Sequence, residues 1–167
     1  LLIKLSSKGP VFFKQQRSGL DNKGFLCFKF RSMRQSVDAD SRQATLKDKR
    51  VTGIGSFLRK TSLDEFPQFI NVFLGNMSIV GPRPHMLKHT KEYSALIKKY
   101  MVRQLVKPGI TGAAQIRGYR GETKELNDME ARVKWDVWYI ENWTLFLDIN
   151  IIFRTVFDFL KGDEKAY

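Results

Sequence analysis

The sequence has very few cysteine and histidine residues, on which disulfide-bonded folds and zinc sites depend. Its 167 residues include one cysteine, Cys27, and two histidines. A single cysteine excludes a disulfide within this chain and fits a reducing compartment, and its Phe-rich surroundings favour buried packing. His85 and His89 are spaced i, i+4 with no glutamate between them, so the helical zinc-protease motif is absent and a zinc site is not expected.

Long apolar runs and nucleotide-binding signatures are missing as well. No segment holds the roughly 20 consecutive apolar residues of a membrane span. Gly53-Ile54-Gly55 opens like a dinucleotide-binding loop, but Leu58 occupies the third glycine position, and no P-loop occurs. No internal repeat or low-complexity tract divides the chain, so we expect a single domain over residues 1–167.

Positive charge and apolar residues, by contrast, are plentiful. Hydrophobic residues make up 43% of the chain, with thirteen Phe, which is enough for a packed core. Lys and Arg number 29 against 17 Asp and Glu, giving a net charge of +12. Such a surface attracts nucleic acid, anionic lipid or phosphorylated metabolites, and charge alone leaves these three open.

The first third of the chain predicts a β-hairpin followed by a loop. Two Phe-rich runs, residues 11–17 and 25–31, flank the turn signal Asp21-Asn22-Lys23-Gly24. The polar stretch from residue 35 to residue 50 shows no hydrophobic periodicity, which predicts a loop.

The remainder predicts helices with one short strand. A short helix at residues 56–60 leads into a central helix that ends at Gly75, and residues 78–80 form a strand. Three more helices are expected at residues 84–102, 122–140 and 144–161. The fold class is therefore α+β, a mostly helical compact domain with a small β-hairpin and amphipathic helices suited to a membrane interface. The apolar face of the central helix consists of Phe66, Phe69, Ile70, Phe73 and Leu74.

The most informative segment runs from residue 58 to residue 84 and reads LRKTSLDEFPQFINVFLGNMSIVGPRP. Two adjacent carboxylates, Asp64 and Glu65, stand at the predicted start of the central helix, and Arg59 and Lys60 precede them by about one turn. Carboxylates among fixed positive charges can bind a metal or attack phosphorus. The combination suits chemistry on a phosphorylated substrate.

Two interpretations of the carboxylate pair stay open at this point. Ser62 and Glu65 match a capping box, in which Glu65 would bond back to the helix cap, although Pro67 fits that start poorly. Alternatively, neighbouring helical residues point roughly 100° apart, so Asp64 could attack phosphorus while Glu65 holds Mg²⁺.

Several cations and a rigid loop lie in or beside the hairpin and this motif. Pro82 and Pro84 fix the backbone on either side of Arg83, which would orient its guanidinium in advance. Each of the remaining cations, taken alone, is more simply explained as a solvated surface charge. The cations of this group are Lys14, Arg17, Lys29, Arg31, Arg59 and Arg83.

Taken together, these motifs resemble the bacterial sugar transferases, the monotopic phosphoglycosyl transferases that start polysaccharide assembly on undecaprenyl phosphate. The matching segments occur in order along nearly the whole chain. They are KGPVFFKQQRSG, FKFRSM, the motif at residues 58–84, VKPGITGAAQIRG and YIENWTLFLDINIIFRTVFDFL.

The resemblance implies a role for each motif residue. Asp64 and Glu65 would be the catalytic dyad: Asp64 attacks the β-phosphate of a UDP-sugar, releasing UMP, and Glu65 helps to bind Mg²⁺. Undecaprenyl phosphate would then accept the phosphosugar. Lys29, Arg59 and Arg83 match family cations near the phosphates and nucleotide, and Pro82, Arg83 and Pro84 match a loop linked to uridine recognition.

The resemblance also implies where the protein would work. Family members carry an apolar helix that dips into the cytoplasmic leaflet of the bacterial inner membrane, and Leu1–Leu5 resemble its end, so we expect most of that helix to precede this chain. The expected partners are the UDP-sugar donor, the undecaprenyl phosphate acceptor and the membrane interface. Nucleic acid is not expected as a partner, and an oligomer is possible. The rival functions are a non-catalytic membrane-surface scaffold and a nucleic-acid-binding module.

Overall fold

The computed structural model describes residues 1–35, 45, 48–121 and 125–161. Most of the predicted polar loop at residues 35–50 lies outside these residues, as does the predicted start of the helix at residues 122–124.

The hairpin is present as predicted. Strands β1 (Phe12–Ser18) and β2 (Gly24–Phe30) pair antiparallel, with Phe12 opposite Phe30 and Ser18 opposite Gly24. Asp21 and Asn22 in the connection adopt positive φ angles of 52° and 58°, which Asn and Asp tolerate better than other non-glycine residues. The hairpin presents Lys29 near the end of β2, on the side where the carboxylate motif lies.

The helices follow the predicted order, with two short strands between them. Short 3₁₀ turns connect several of the elements, at Leu20–Asn22, Leu63–Glu65, Tyr100–Gln104 and Gln115–Arg117. The remaining elements are α1 (Leu2–Ser6), α2 (Gly53–Lys60), α3 (Gln68–Phe73), β3 (Ser78–Val80), α4 (Leu87–Leu96), β4 (Gly109–Thr111), α5 (Leu126–Glu141) and α6 (Leu145–Lys161).

A second sheet fixes the start of the Pro-Arg-Pro loop. Strand β3 pairs parallel with β4, with Ser78 opposite Gly109 and Val80 opposite Thr111. A Cβ atom on Gly109 would lie 2.1 Å from the backbone nitrogen of Gly81, so the two chains approach this closely only because the residue is glycine. The loop that carries Arg83 therefore leaves a sheet whose geometry is tightly defined.

Within the described residues, most of the buried apolar side chains form three clusters. The first joins α5 to the segment after α4, the second places α6 against β3 and α5, and the third lies beneath the hairpin and includes Cys27, which is buried as expected. The clusters comprise, respectively, Ile97, Tyr100, Met129, Val133 and Val137; Val80, Ala113, Tyr139 and Ile151; and Phe25, Cys27 and Met77.

The predicted central helix is the main departure from expectation. It is divided into the 3₁₀ turn Leu63–Glu65 and the short helix α3, with Pro67 at the cap between them, because a proline has no N–H to continue the helical hydrogen bonding. The helix predicted over residues 84–102 is also shorter, since α4 ends at Leu96 and Lys99 adopts a φ of 63°.

Much apolar surface faces outward. Every residue of the predicted apolar face of the central helix is exposed, Phe73 at 91%, so this face does not enter the core. Helix α6 also exposes most of its large apolar side chains, and Trp143 just before it is exposed. Among the described residues, none of the helices combines the length and apolar content needed to cross a bilayer.

Candidate active site

The turn that carries the two carboxylates is held between α2 and α3. Thr52 caps α2 by accepting a hydrogen bond from the Gly55 N–H at 3.0 Å. After α2, Ser62 adopts a left-handed φ of 51° and its side chain makes no capping bond, so the capping-box interpretation is wrong. The Glu65 side chain turns instead toward the hairpin, where it meets Lys29.

A buried asparagine fixes this turn against the hairpin. The Asn71 side chain of α3 donates to the Leu26 carbonyl at 2.7 Å and accepts from the Phe28 N–H at 2.9 Å. Asn71 has no exposed surface, and a buried amide with both ends bonded locks the two elements in one register. Lys29, one residue beyond Phe28, is thereby placed beside Glu65.

Three cations converge on the Glu65 carboxylate. Lys29 Nζ lies 2.7 Å from Oε1, Arg83 Nη2 lies 2.5 Å from the same oxygen, and Arg83 Nη1 lies 3.2 Å from Oε2. Arg120 Nη2 contacts Oε2 at 3.2 Å. Lys29 and Arg83 were predicted at the site from the sequence, and the structure brings both to the predicted dyad.

The two adjacent carboxyls have opposite pKa shifts. Burial alone would raise the pKa of Glu65, but the charges of Arg83, Lys29 and Arg120 outweigh it and hold the pKa well below the usual range. Burial raises the pKa of Asp64, and the neighbouring Glu65 charge adds to that rise against the opposing charges of Lys29 and Arg59. The pair therefore contains one firmly ionised carboxylate and one more basic carboxyl.

The Pro-Arg-Pro loop reaches this pair through the Arg83 side chain, which contacts Glu65. Pro82 and Pro84 are buried, and the Pro84 carbonyl accepts a hydrogen bond from Arg17 Nη1 at 3.2 Å. The loop also lines a small cavity together with Thr90 and Gln104. Arg83 is thus presented from a backbone held on both sides by proline and by the hairpin.

Arg59, the remaining predicted cation, lies close enough to the dyad to act on Asp64. Its charge lowers the pKa of Asp64, and its Nη1 atom lies 3.2 Å from the Met33 sulfur. Arg120 is a site residue that the sequence reasoning missed. Its only local signal is the pair of glycines that flank it, Gly118 and Gly121, and of these Gly118 adopts a φ of 86°.

The oxygen donors at the site suit a hard cation better than a zinc ion. Among the described residues, no group of three or more His, Cys, Asp and Glu side chains comes together. Mg²⁺ needs no such cluster, because it usually takes one or two carboxylates together with substrate phosphates. His85, one of the two histidines considered for a zinc site, is buried, and its Nδ1 atom lies 2.6 Å from the Tyr100 hydroxyl and 3.0 Å from Arg103 Nη1.

Comparison with known proteins gives consistent matches. The family described as "Bacterial sugar transferase" matches residues 1–162. A protein of Escherichia coli (strain K12), named UDP-glucose:undecaprenyl-phosphate glucose-1-phosphate transferase, is 57% identical over 158 residues, which are 94% of this chain and 34% of that protein.

Two further relatives extend the comparison. A protein of Xanthomonas campestris pv. campestris with the same name is 54% identical over 167 residues, covering 99% of this chain and 34% of its own length. An Aeromonas hydrophila protein, named UDP-N-acetylgalactosamine-undecaprenyl-phosphate N-acetylgalactosaminephosphotransferase, is 42% identical over 163 residues, or 97% of this chain and 38% of its own. The chain spans about a third of the length of these relatives.

Proposed function

Since the chain belongs to the bacterial sugar transferase family, we propose that it transfers a sugar 1-phosphate from a UDP-sugar to undecaprenyl phosphate and releases UMP. The donor we propose is UDP-glucose, because relatives at 54–57% identity are named for that sugar. The relative named for N-acetylgalactosamine is less similar, at 42%.

The observation that carries the proposal is the cluster of Lys29, Arg83 and Arg120 on one of two adjacent carboxyls, and the pKa values of the two carboxyls shift in opposite directions accordingly. Asp64 is the more basic of the two, and within the part of the chain that the structure describes it makes no ion pair like those of Glu65, so we take its carboxylate as the nucleophile. An Asp64 oxygen forms a bond to the β-phosphorus, the bond from that phosphorus to the bridging oxygen breaks, and UMP leaves with the electron pair. The product is an aspartyl phosphosugar.

The acceptor completes the cycle in a second displacement. A phosphate oxygen of undecaprenyl phosphate attacks the phosphorus of the aspartyl phosphosugar, the acyl–phosphate bond breaks, and the Asp64 carboxylate is regenerated. The lipid leaves as a diphosphate-linked sugar. Splitting the transfer into two steps lets one cation cluster serve two chemically similar displacements.

The cations on Glu65 supply the charge neutralisation that both steps need. Lys29, Arg83 and Arg120 already converge on one carboxylate, and guanidinium groups match phosphate oxygens through paired hydrogen bonds. Phosphoryl transfer depends mainly on positioning and on such electrostatic stabilisation. Arg59, whose charge acts on Asp64, would contact the same phosphates.

The site also suits the Mg²⁺ that the family resemblance implies. The Glu65 carboxylate, with the diphosphate of the donor, would hold the ion in the manner usual for phosphate-transfer sites. When bound, Mg²⁺ neutralises charge on the diphosphate and on the departing UMP. The family resemblance implies that Pro82, Arg83 and Pro84 meet the uridine end of the donor, and Arg83 already lies beside Glu65.

The outward-facing apolar surfaces support work at a membrane. The exposed faces of α3 and α6 lie on a chain of net charge +12, and this combination favours an anionic lipid surface. We therefore propose that the domain works at a membrane surface, where a long-chain acceptor could reach the dyad without leaving the bilayer. The side that the family resemblance implies is the cytoplasmic face of the inner membrane.

The test is UMP release from a panel of UDP-sugars with Mg²⁺ and undecaprenyl phosphate in detergent, using the full-length protein. UDP-glucose, UDP-galactose and UDP-N-acetylgalactosamine form the panel, and Asp64→Asn is the matched control, since it changes one oxygen to an amide nitrogen. UMP from UDP-glucose, lost in Asp64→Asn, supports the proposal, whereas UMP from another donor alone would support the reaction and contradict the proposed sugar. A folded protein that releases no UMP from any donor contradicts it and favours the scaffold.

A further inference from the structure

Behind the cations that touch Glu65 lies a second pair of arginines that the sequence did not single out. Arg103, in the 3₁₀ turn after α4, and Arg132, in α5, are both buried, at 5% and 6% exposure. Neither contributes to the ion pairs of Glu65. Burying a guanidinium is costly unless its donors are bonded, so the contacts of these two side chains call for an explanation.

Each buried arginine donates to a loop that carries a cation of the site. Arg103 Nη2 bonds to the backbone carbonyl of Arg83 at 2.8 Å. Arg132 Nη2 bonds to the carbonyl of Gly121 at 2.8 Å, one residue after Arg120. The two loops come from distant parts of the chain, yet both are held by arginines from the α5 side of the molecule.

Asp136 anchors Arg103 and lies one helical turn from Arg132. Arg103 Nε donates to Asp136 Oδ2 at 2.7 Å, and both side chains are almost fully buried. Arg132 and Asp136 are spaced i, i+4 on α5 and therefore share a face. Burial raises the pKa of Asp136, and the charges of Arg103 and Arg132 both act against that rise.

We propose that Arg103 and Arg132 are positioning residues that hold the Arg83 and Arg120 loops so that both guanidiniums meet at the Glu65 carboxylate. Arg103 fixes the first loop and Arg132 the second, with Asp136 orienting Arg103 from behind. The proposal deepens the proposed function and rests on it for the role of the site in catalysis. The assignment of Arg103 to the first loop and Arg132 to the second follows from their hydrogen bonds and does not depend on the proposed function.

The first test needs no catalysis. The Nε–Hε signals of Arg83 and Arg120 are recorded by ¹⁵N NMR on the protein in detergent micelles and assigned from the Arg83→Lys and Arg120→Lys spectra. Arg103→Lys is expected to move the Arg83 signal toward that of a free arginine and leave the Arg120 signal in place. Arg132→Lys is expected to do the reverse, and Arg50→Lys, which alters an arginine paired with Asp48, is expected to move neither.

The second test asks whether Arg103 acts through Arg83, and it measures kcat/KM for UMP release from UDP-glucose. Misplacing a catalytic group by about 1 Å can cost up to about 100-fold, so Arg103→Lys is expected to lower kcat/KM at least roughly tenfold. In an Arg83→Met background the same change is expected to cost less than about twofold, because residues acting through one another are not additive. A purely structural role for Arg103 would give the same loss in both backgrounds.

Each outcome decides the proposal. Signals of Arg83 and Arg120 that change together, or not at all, overturn it, as does an equal loss of kcat/KM in both backgrounds. If Arg103→Lys fails to fold, Asp136→Asn keeps the side-chain shape and releases Arg103 alone, and an unmoved Arg83 signal there overturns it too. A wild-type protein that releases no UMP would defeat the proposed function, while the NMR comparison would still decide the positioning.

Discussion

The Glu65 carboxylate and the Arg83 guanidinium meet through two bonds, from Nη2 to Oε1 at 2.5 Å and from Nη1 to Oε2 at 3.2 Å. The pairing joins the turn after α2 to the loop after β3, across 18 positions of sequence. Because both donors are used, the fork of the guanidinium fixes the orientation of the carboxylate as well as its charge. Neither Lys29 nor Arg120 makes such a double contact.

This geometry predicts that Arg83→Lys is not a conservative change. A lysine keeps the positive charge but offers a single ammonium in place of two planar donors, so kcat/KM for UMP release should fall by roughly 10- to 100-fold. Lys88→Arg, at an exposed lysine near Glu92 on α4, is the control and should leave the rate unchanged. Activity within twofold of the wild type in Arg83→Lys would show that only the charge at this position matters.

The assignment of the nucleophile predicts a covalent adduct at one carboxyl. Incubated with UDP-glucose and Mg²⁺ but without the lipid acceptor, the wild-type protein should form an acyl phosphate that hydroxylamine converts to a hydroxamate at Asp64. Peptide mass spectrometry locates the modification. Asp64→Asn should give none, whereas Glu65→Gln should give a reduced yield at Asp64. A hydroxamate found at Glu65 in the wild type would reverse the two roles.

Some residues of the candidate site could be predicted from the sequence, and one could not. Asp64, Glu65 and Arg83 could be named because the motif is dense in charge and proline within one segment, and the family resemblance added Lys29, which alone would read as a surface charge. Arg120 could not, since its only local signal, the nearby glycines Gly118 and Gly121, does not indicate contact with a distant carboxylate. Its place at Glu65 depends on how α5 packs against the rest of the chain, which is a long-range property.

The difference between local sequence signals and long-range packing also explains where the fold prediction was wrong. Apolar periodicity correctly predicted α6, but it placed the carboxylates at the start of a continuous central helix. The backbone instead turns at Ser62, and the helix starts again at Pro67 because a proline has no N–H to continue the helical hydrogen bonding. Contacts of Asn71 and Lys29 then hold this turn against the hairpin. Periodicity also finds an apolar face without saying whether protein covers it, as Phe73 demonstrates.

Core packing gives a prediction that does not depend on function. Ile151 on α6 has no exposed surface and packs with Val80, Ala113 and Tyr139, so Ile151→Ala should lower the free energy of unfolding by roughly 2–5 kcal/mol. Ile152, the next residue, is 36% exposed, and Ile152→Ala should cost clearly less. Urea unfolding followed by circular dichroism measures both. Equal losses for the two variants would mean that α6 does not pack as described.

The exposed face of α6 predicts binding to lipid. Phe146 and Phe153 are largely exposed on this helix, and burying one such side chain contributes about 1.5–3 kcal/mol. Phe146→Ser with Phe153→Ser should therefore weaken cosedimentation of this 167-residue chain with anionic vesicles by at least about tenfold. Asn150→Ser, at an exposed polar position of α6, is the control. Unchanged binding of the double variant, with its melting temperature preserved, would show that α6 does not enter the lipid.

The buried imidazole of His85 predicts a loss of stability in mild acid. Burial, together with the charges of Arg103, Arg132, Arg17 and His89, holds the pKa of His85 well below its usual value, so the folded protein keeps it neutral while the unfolded chain protonates it below about pH 6.5. Stability that His85 contributes above that pH is therefore lost as the pH falls, by roughly 2 kcal/mol between pH 7 and pH 5. Urea titrations at the two pH values should show that His85→Asn removes this part of the loss. His89→Asn is the control, because His89 is half-buried and its pKa is lowered less, so this change should remove less of the acid-induced loss of stability. An unchanged pH dependence in His85→Asn would mean that His85 is already charged in the folded protein.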